Sequence, residues 1–349
     1  MSRTERMLAD VERGFEALEE GRLDDAAAIV ERCKRVDRKN PDVVTLAAAV
    51  SDAAGDADEA LAQYRLLSEL QPDEAMPRIC IARLLLHHEG DPDEALDMLE
   101  TAFEVIDEEA DLVEAVYIRT EALLARDEPA AARESLAELA TSVIEEPDLA
   151  LDLADLAITA EDFPAAKKWI ETARAANQAD EEREPAEKAA FEADALHALG
   201  RVHEAEDDRP AMIAAWKQVL AHDKQAPDGD LTVTEDELEK IAVGTLEELP
   251  DTIREKLANV PILIDDFPSE EIVEDGWDPR ILGLFQGTPM PDDGHGAPSV
   301  TNILLFRKNL ERYAVDEEHL AEEIRITVLH ETAHYFGLDE DDLVKLGLD

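Results

Sequence analysis

The stretch "GDADEALAQYRLL", Gly55 to Leu67, decides how most of this 349-residue chain is read. A glycine leads into an acidic turn, then Ala60, then a bulky Tyr64 one helical turn later. The same order returns in "GRLDDAAAIVERC" from Gly21, with Ala26 and Val30, and in "GDPDEALDMLETA" from Gly90, with Ala95 and Leu99. Weaker copies follow in "EPAAARESL", with Ala132 and Leu136, and in "FPAAKKWIE", with Ala165 and Trp169. The alanines fall roughly 33 to 37 residues apart, the period of a helix-turn-helix solenoid. An alanine lets the second helix of a unit approach the first, and the bulky residue one turn on fills the neighbouring groove. A sixth copy fits "MIAAWKQVLAHDKQAPD", after the charged insertion "QADEEREPAEK" (178–188).

These units resemble tetratricopeptide repeats. The second matches best, because Pro72 in "LQPDEA" follows Ala60 at the family's usual distance; the third has Asp107 where proline is expected, and no unit carries the full aromatic set. The resemblance covers residues 8–228, five to six repeats, and implies an α-solenoid scaffold that binds a protein or peptide partner. A spacer or oligomerisation arm is the plainer alternative for the same helices.

Composition narrows the partners. With 33 basic and 86 acidic residues the formal net charge is −53, spread along the chain. Such a field repels polyanions, which argues against nucleic acid and anionic membrane and favours cationic peptides or metal ions. Aromatics are only 4% of the residues, which suits alanine- and leucine-rich helix packing rather than a barrel. The two cysteines, Cys33 and Cys80, lie in helical patterns and read as buried thiols rather than a disulfide framework. The start, "MSRTERMLADVERG", lacks a signal-peptide apolar stretch, and no apolar run approaches the ~18 residues needed to cross a bilayer. A soluble, cytoplasmic protein is expected.

The texture changes near Pro227 and Gly229. Thr234 heads a new amphipathic helix with Glu237 in the capping-box position, and Pro250 interrupts the helical pattern beyond it. Three strand-like stretches come next: "VPILIDD" (260–266), "ILGLFQG" (281–287) and "VTNILLFRK" (300–308). The loop "TPMPDDGHGAPS" separates the last two, and a helix starts at Asp316 with an acidic first turn. The whole reads as mostly α, a helical repeat array followed by a small α+β domain over residues 231–349.

That last helix carries "TVLHETAHYFGLDEDDL" (327–343). Residues four apart project from one helix face, so His330 and His334 can both direct a ring nitrogen at a single cation. Glu331 lies beside that face, where a general base toward water is needed; this is the HExxH arrangement. Gly337 stands where an αL-capable residue stops the helix, and Glu340 falls in the third-ligand slot of the longer HExxHxxGxx pattern. Asp339, Asp341 and Asp342 are alternatives for that slot. Two histidines and a carboxylate leave a fourth position open, the catalytic rather than structural arrangement of zinc. Leu320, Ile324, Val328 and Phe336 form an apolar stripe, expected to wall the site.

From about residue 234 the chain resembles the bacterial minimal-zincin metallopeptidases. The resemblance rests on "LEELPDTIREKLANVPILIDD", "LGLFQGTP", "ILLFRKNLER" and "EEIRITVLHETAHYFGLDEDDLVKLG". It implies peptide-bond hydrolysis with one Zn2+ per chain, His330 and His334 as ligands, Glu331 as catalytic base and Glu340 in the third-ligand slot. Family members more often carry Asp there. Tyr313, Arg307 and His295 are candidate donors toward an oxyanion or the substrate. "VTNILLFRK" is the strand expected to pair with an extended substrate. Two functions compete on this sequence. One is a zinc metallopeptidase whose repeats recruit a substrate or regulator; the other is a non-enzymatic adaptor with a catalytically silent, metal-binding zincin-like domain.

Overall fold

The computed structural model describes residues 2–229, 231–257, 260–287 and 302–338. Six helical hairpins come first, in order. They are α1 (Arg3–Glu19) with α2 (Leu23–Asp37), α3 (Pro41–Ala53) with α4 (Ala57–Leu70), and α5 (Met76–Leu84) with α6 (Pro92–Phe103). Then follow α7 (Glu109–Ala125) with α8 (Pro129–Ala137), α9 (Pro147–Thr159) with α10 (Phe163–Ala179), and α11 (Pro185–Ala205) with α12 (Arg209–Asp223). A π-helical turn, Leu85–Glu89, closes α5.

Every hairpin turns through a single left-handed residue. Gly21, Gly55 and Gly90 hold φ between 66° and 73°; Asp127, Glu161 and Asp207 hold the same place at 58° to 59°. The next residue caps the second helix, and Asp56, Asp91, Asp162 and Asp208 each accept a backbone N–H three residues on. The sequence shows the turn only where it is glycine, because an L residue enters this region at a cost. Glu161→Gly is therefore expected to stabilise the chain by about 0.5–1 kcal/mol, the steric relief exceeding glycine's unfolded-state entropy. Urea unfolding of the full-length variant checks the sign.

The repeat alanines are buried as their spacing demands: Ala26, Ala60, Ala95 and Ala132 expose no surface. The fifth copy needs a correction of one residue. Ala165 is half-buried, whereas Ala166 is fully buried and donates its N–H to Asp162, four residues back, as Ala60 does to Asp56. Two adjacent alanines in "FPAAKK" left the register open, and the cap residue fixes it. In the sixth copy Met212 takes the alanine's place, bonding back to Asp208, with Trp216 one turn on.

The chain forms two compact units, Met1–Thr172 and Ala173–Asp349. The second holds α11 and α12 together with the non-repeat elements. Those are α13 (Glu235–Glu247), α14 (Asp251–Leu257), β1 (Ile262–Asp265), α15 (Glu270–Glu274), β2 (Gly283–Gln286), β3 (Asn302–Phe306), α16 (Arg307–Tyr313) and α17 (Glu317–Tyr335). The Thr234–Glu237 capping box forms in both directions, and Pro250 does part α13 from α14.

The three strands make one sheet in the order β1-β3-β2, with β1 parallel and β2 antiparallel to β3. This reverses the expectation for the substrate-pairing strand. β3 is central, buried throughout, and has a neighbour on either side, so its backbone is already committed. One face of the sheet packs Ile303 and Leu305 against Leu238 and Ala242 of α13 and Leu320, Ile324 and Val328 of α17. Leu320, Ile324 and Val328 of the expected stripe thus belong to the core rather than to a cleft wall. The other face packs Leu284, Leu304 and Phe306 on Ile272.

Candidate functional site

α17 delivers the motif. Asp316 caps it by accepting the His319 N–H, and Gly337, at φ 78°, ends it. The closing turn is a Schellman motif: Leu338 N–H bonds back to the Ala333 carbonyl and Gly337 N–H to that of His334. That turn has a chemical consequence. It brings the Leu338 carbonyl to 3.2 Å from His334 Nδ1, so Nδ1 carries the proton and Nε2 presents its lone pair.

His330 Nε2 lies 3.0 Å from His334 Nε2, with the two rings tilted by 76°. Zinc–nitrogen bonds of about 2.0–2.1 Å place two tetrahedral ligand nitrogens about 3.3 Å apart, so the pair fits a shared zinc ion. Among the described residues no group of three or more His, Cys, Asp or Glu side chains converges on one point. The third-ligand position, Glu340, and its neighbours Asp339, Asp341 and Asp342 lie outside the described residues, as does His295.

Glu331 faces the sheet rather than solvent, with 6% of its surface exposed. Its Oε2 accepts the Phe285 N–H at 2.5 Å, which ties the carboxylate to the rim of β2. The register explains why that N–H is available. Phe306 N–H bonds to the Leu282 carbonyl, so Leu284 and Gln286 likewise direct their backbone groups to β3. Gly283 and Phe285, alternating with them, turn theirs away from β3, to the strand's outer edge, where the Glu331 side chain meets the Phe285 N–H.

The resulting cleft, about 470 Å³, is lined by His330, Glu331 and His334 on one side and Trp277, Gly283, Leu284 and Phe285 on another. Gly283 is what permits this close approach. A β-carbon there meets Thr327 Cγ2 at 2.6 Å and Glu331 Cγ at 3.1 Å. Both contacts are to the helix that carries the motif, and Thr327 is β-branched and cannot swing aside. Gly283→Ala is expected to cost about 1–3 kcal/mol by overpacking and to displace Glu331 from the strand rim. Thermal unfolding of the variant, read beside hydrogen exchange at the Phe285 amide, checks both effects.

Arg307 and Tyr313 do not line this cleft. Arg307 bonds to Asp266, to Glu311 and to the Val233 carbonyl, an arrangement that locks the start of α16. Tyr313 is exposed and packs beside the His319 ring. No motif in the sequence marks Trp277, Gly283 or the Phe285 amide as parts of the site. A glycine inside "ILGLFQG" was the one available signal, since strand glycines mark close approach of another element.

Residues 257–348 match the family model described as Zincin-like metallopeptidase. No curated protein matches the chain. Solved structures similar to it include PilW, a type IV pilus biogenesis factor, at 15% identity and TM-score 0.49, covering 63% of this chain and 94% of that one. PilF of Pseudomonas aeruginosa aligns at 18% identity and TM-score 0.48, over 63% of this chain and 92% of its own. A tetratricopeptide-repeat protein of Thermus thermophilus aligns at 18% identity and TM-score 0.42, over 55% of this chain and 98% of its own. Among the described residues no helix is long and apolar enough to cross a membrane.

Proposed function

We propose that this chain is a zinc-dependent metallopeptidase, one Zn2+ per molecule, whose helical repeats recruit a protein or peptide substrate or regulator. The observation that carries the reading is the convergence of His330 and His334 Nε2 at 3.0 Å beside a buried Glu331 on the rim of an edge strand. Bound there, zinc would supply a Lewis acid and a water of lowered pKa. Glu331 takes a proton from the attacking water and returns it to the leaving amine. The Phe285 amide holds that carboxylate in place before reaction, so little reorganisation is needed.

β2, rather than β3, is the strand this reading pairs with an extended substrate. Among the described residues it is a sheet edge, and it borders the cleft. Trp277, about half exposed on the cleft wall, offers an apolar face to a substrate side chain.

The repeat array supports a basic partner. On α7 and α9, burial and neighbouring carboxylates raise Asp111 and Asp152 above the usual carboxylate range; burial likewise raises Glu114, against Arg83 nearby, and Glu121, against His87. Of these, Glu114 and Asp152 line a groove together with Val113, Tyr117 and Leu149, and a cationic segment there would relieve the crowding. A broad peptide-library digest by the zinc-loaded chain tests the enzymatic reading. No cleavage of any sequence, with zinc bound, would sink it.

A further inference from the structure

We infer that the last helical hairpin, α11–α12, holds the cleft strand in register, with Arg280 and His197 as positioning residues for substrate binding. This rests on the proposed use of the cleft for peptides. The short segment 277–282 supplies Trp277 to the cleft and runs directly into Gly283.

That segment is gripped from two sides. From the hairpin, Asp223 at the end of α12 takes a two-point contact from Arg280, Nε at 3.0 Å and Nη2 at 3.2 Å. Asp194 of α11 takes a third, Nη1 at 2.7 Å. His197 Nε2 meets Asp278 Oδ2 at 2.7 Å, while Asp278 Oδ1 accepts the Arg280 N–H at 2.8 Å. From the opposite side, Asn309 of α16 donates to the Pro279 and Ile281 carbonyls at 2.9 and 2.7 Å. Burial alone would raise Asp278, but the His197 hydrogen bond and the Arg280 amide and charge pull it below its ordinary value and keep it anionic.

A planar guanidinium bonded to two carboxylates fixes direction as well as distance. Four successive backbone positions, Asp278 to Ile281, are thereby fixed immediately before the strand whose Phe285 amide holds Glu331. These contacts lie on the lead-in to β2 and do not touch His330 or His334, and the Phe285 amide on Glu331 is presented by the β2–β3 pairing downstream of them. The hairpin that closes the repeat array therefore sets where the substrate strand and the Trp277 wall sit. Loosening it disturbs binding more than the chemical step.

The test uses full-length, zinc-loaded protein and two variants, Arg280→Met and His197→Ala. Arg280→Met leaves Asp223 paired with Arg312, at 2.6 Å, so no buried charge is stranded. His197→Ala is milder and serves if the first variant folds poorly. Hydrogen exchange in segment 277–286 is expected to quicken at least tenfold, with exchange in α13 and α17 and the zinc content unchanged. With fluorescein-labelled casein as substrate, KM should rise about fivefold and kcat move less than twofold, the pattern of lost uniform binding. Unchanged exchange in 277–286 in both variants overturns the inference, as does a fall in kcat at constant KM. A parent chain that cleaves nothing sinks the enzymatic reading alone, because the exchange measurement still decides this one.

Discussion

Zinc is expected to fall from about one ion per chain to nearly none when His330 or His334 becomes alanine, while Glu331→Gln keeps the metal and loses hydrolysis. Each imidazole supplies one of three protein ligands in a catalytic site of this kind, so loss of either leaves too few donors to hold the ion. Glutamine has nearly the shape of Glu331 and still accepts the Phe285 N–H through its carbonyl oxygen. It has no proton affinity to offer an attacking water, and a positioned general base contributes on the order of 10²–10⁴ in rate. Metal analysis and a peptide-library digest on the same preparations read both quantities. Zinc retained by both alanine variants would mean that the ion sits elsewhere. A Gln variant that cleaves like its parent would remove Glu331 from the mechanism, and one that replaces the parent in every cellular role would favour the adaptor.

The second large effect concerns where the C-terminal unit begins. A fragment spanning 173–349 is expected to unfold in one cooperative transition. A fragment spanning 231–349, cut where the repeat pattern ends, should melt roughly 10 °C or more lower, or not fold. Val273 of α15 is fully buried among Leu196, Met212, Trp216, Val219 and Leu220 of α11 and α12, with Phe267 packed against the same cluster. Cutting at 231 exposes Val273, a loss of about 1.5–3 kcal/mol. It also deprives Arg280 and Arg312 of Asp223, and Lys217 is no longer present to pair with Glu274. Set against a total stability of about 5–15 kcal/mol, these losses are large. Calorimetry on the two fragments decides the matter: equal melting temperatures would show that residues 231–349 complete their own core.

Much of the fold was legible because its signals are local. An alanine followed one turn later by a bulky residue, an aspartate ahead of most second helices, and glycine at three turns are all short-range features. The register of the fifth copy was not legible, since Ala165 and Ala166 are equivalent until the Asp162 cap selects between them. Likewise Asp127, Glu161 and Asp207 give no sign that they adopt the glycine conformation.

In the candidate site the division is similar. The helix period alone puts His330 and His334 on one face, and Gly337 announces the stop. The periodic stripe of Leu320, Ile324 and Val328 was equally visible, but whether it faced a core or a cleft depended on what packed against it. No sequence pattern shows whether Arg307 and Tyr313 reach the cleft; ion pairs and exposure place them off it.

Local pattern was enough for the existence of the repeat array, for the motif helix and, through Gly337, for its end, since spacing along one helix suffices to converge two imidazoles. Strand order, the place of β2 at the edge of the described sheet, the Phe285 amide on Glu331 and the grip of α11–α12 on Arg280 were decided only in three dimensions. Each joins residues at least 46 positions apart or turns on which strand lies between two others. No local pattern records such pairings, because they are fixed by what the folded core has room for.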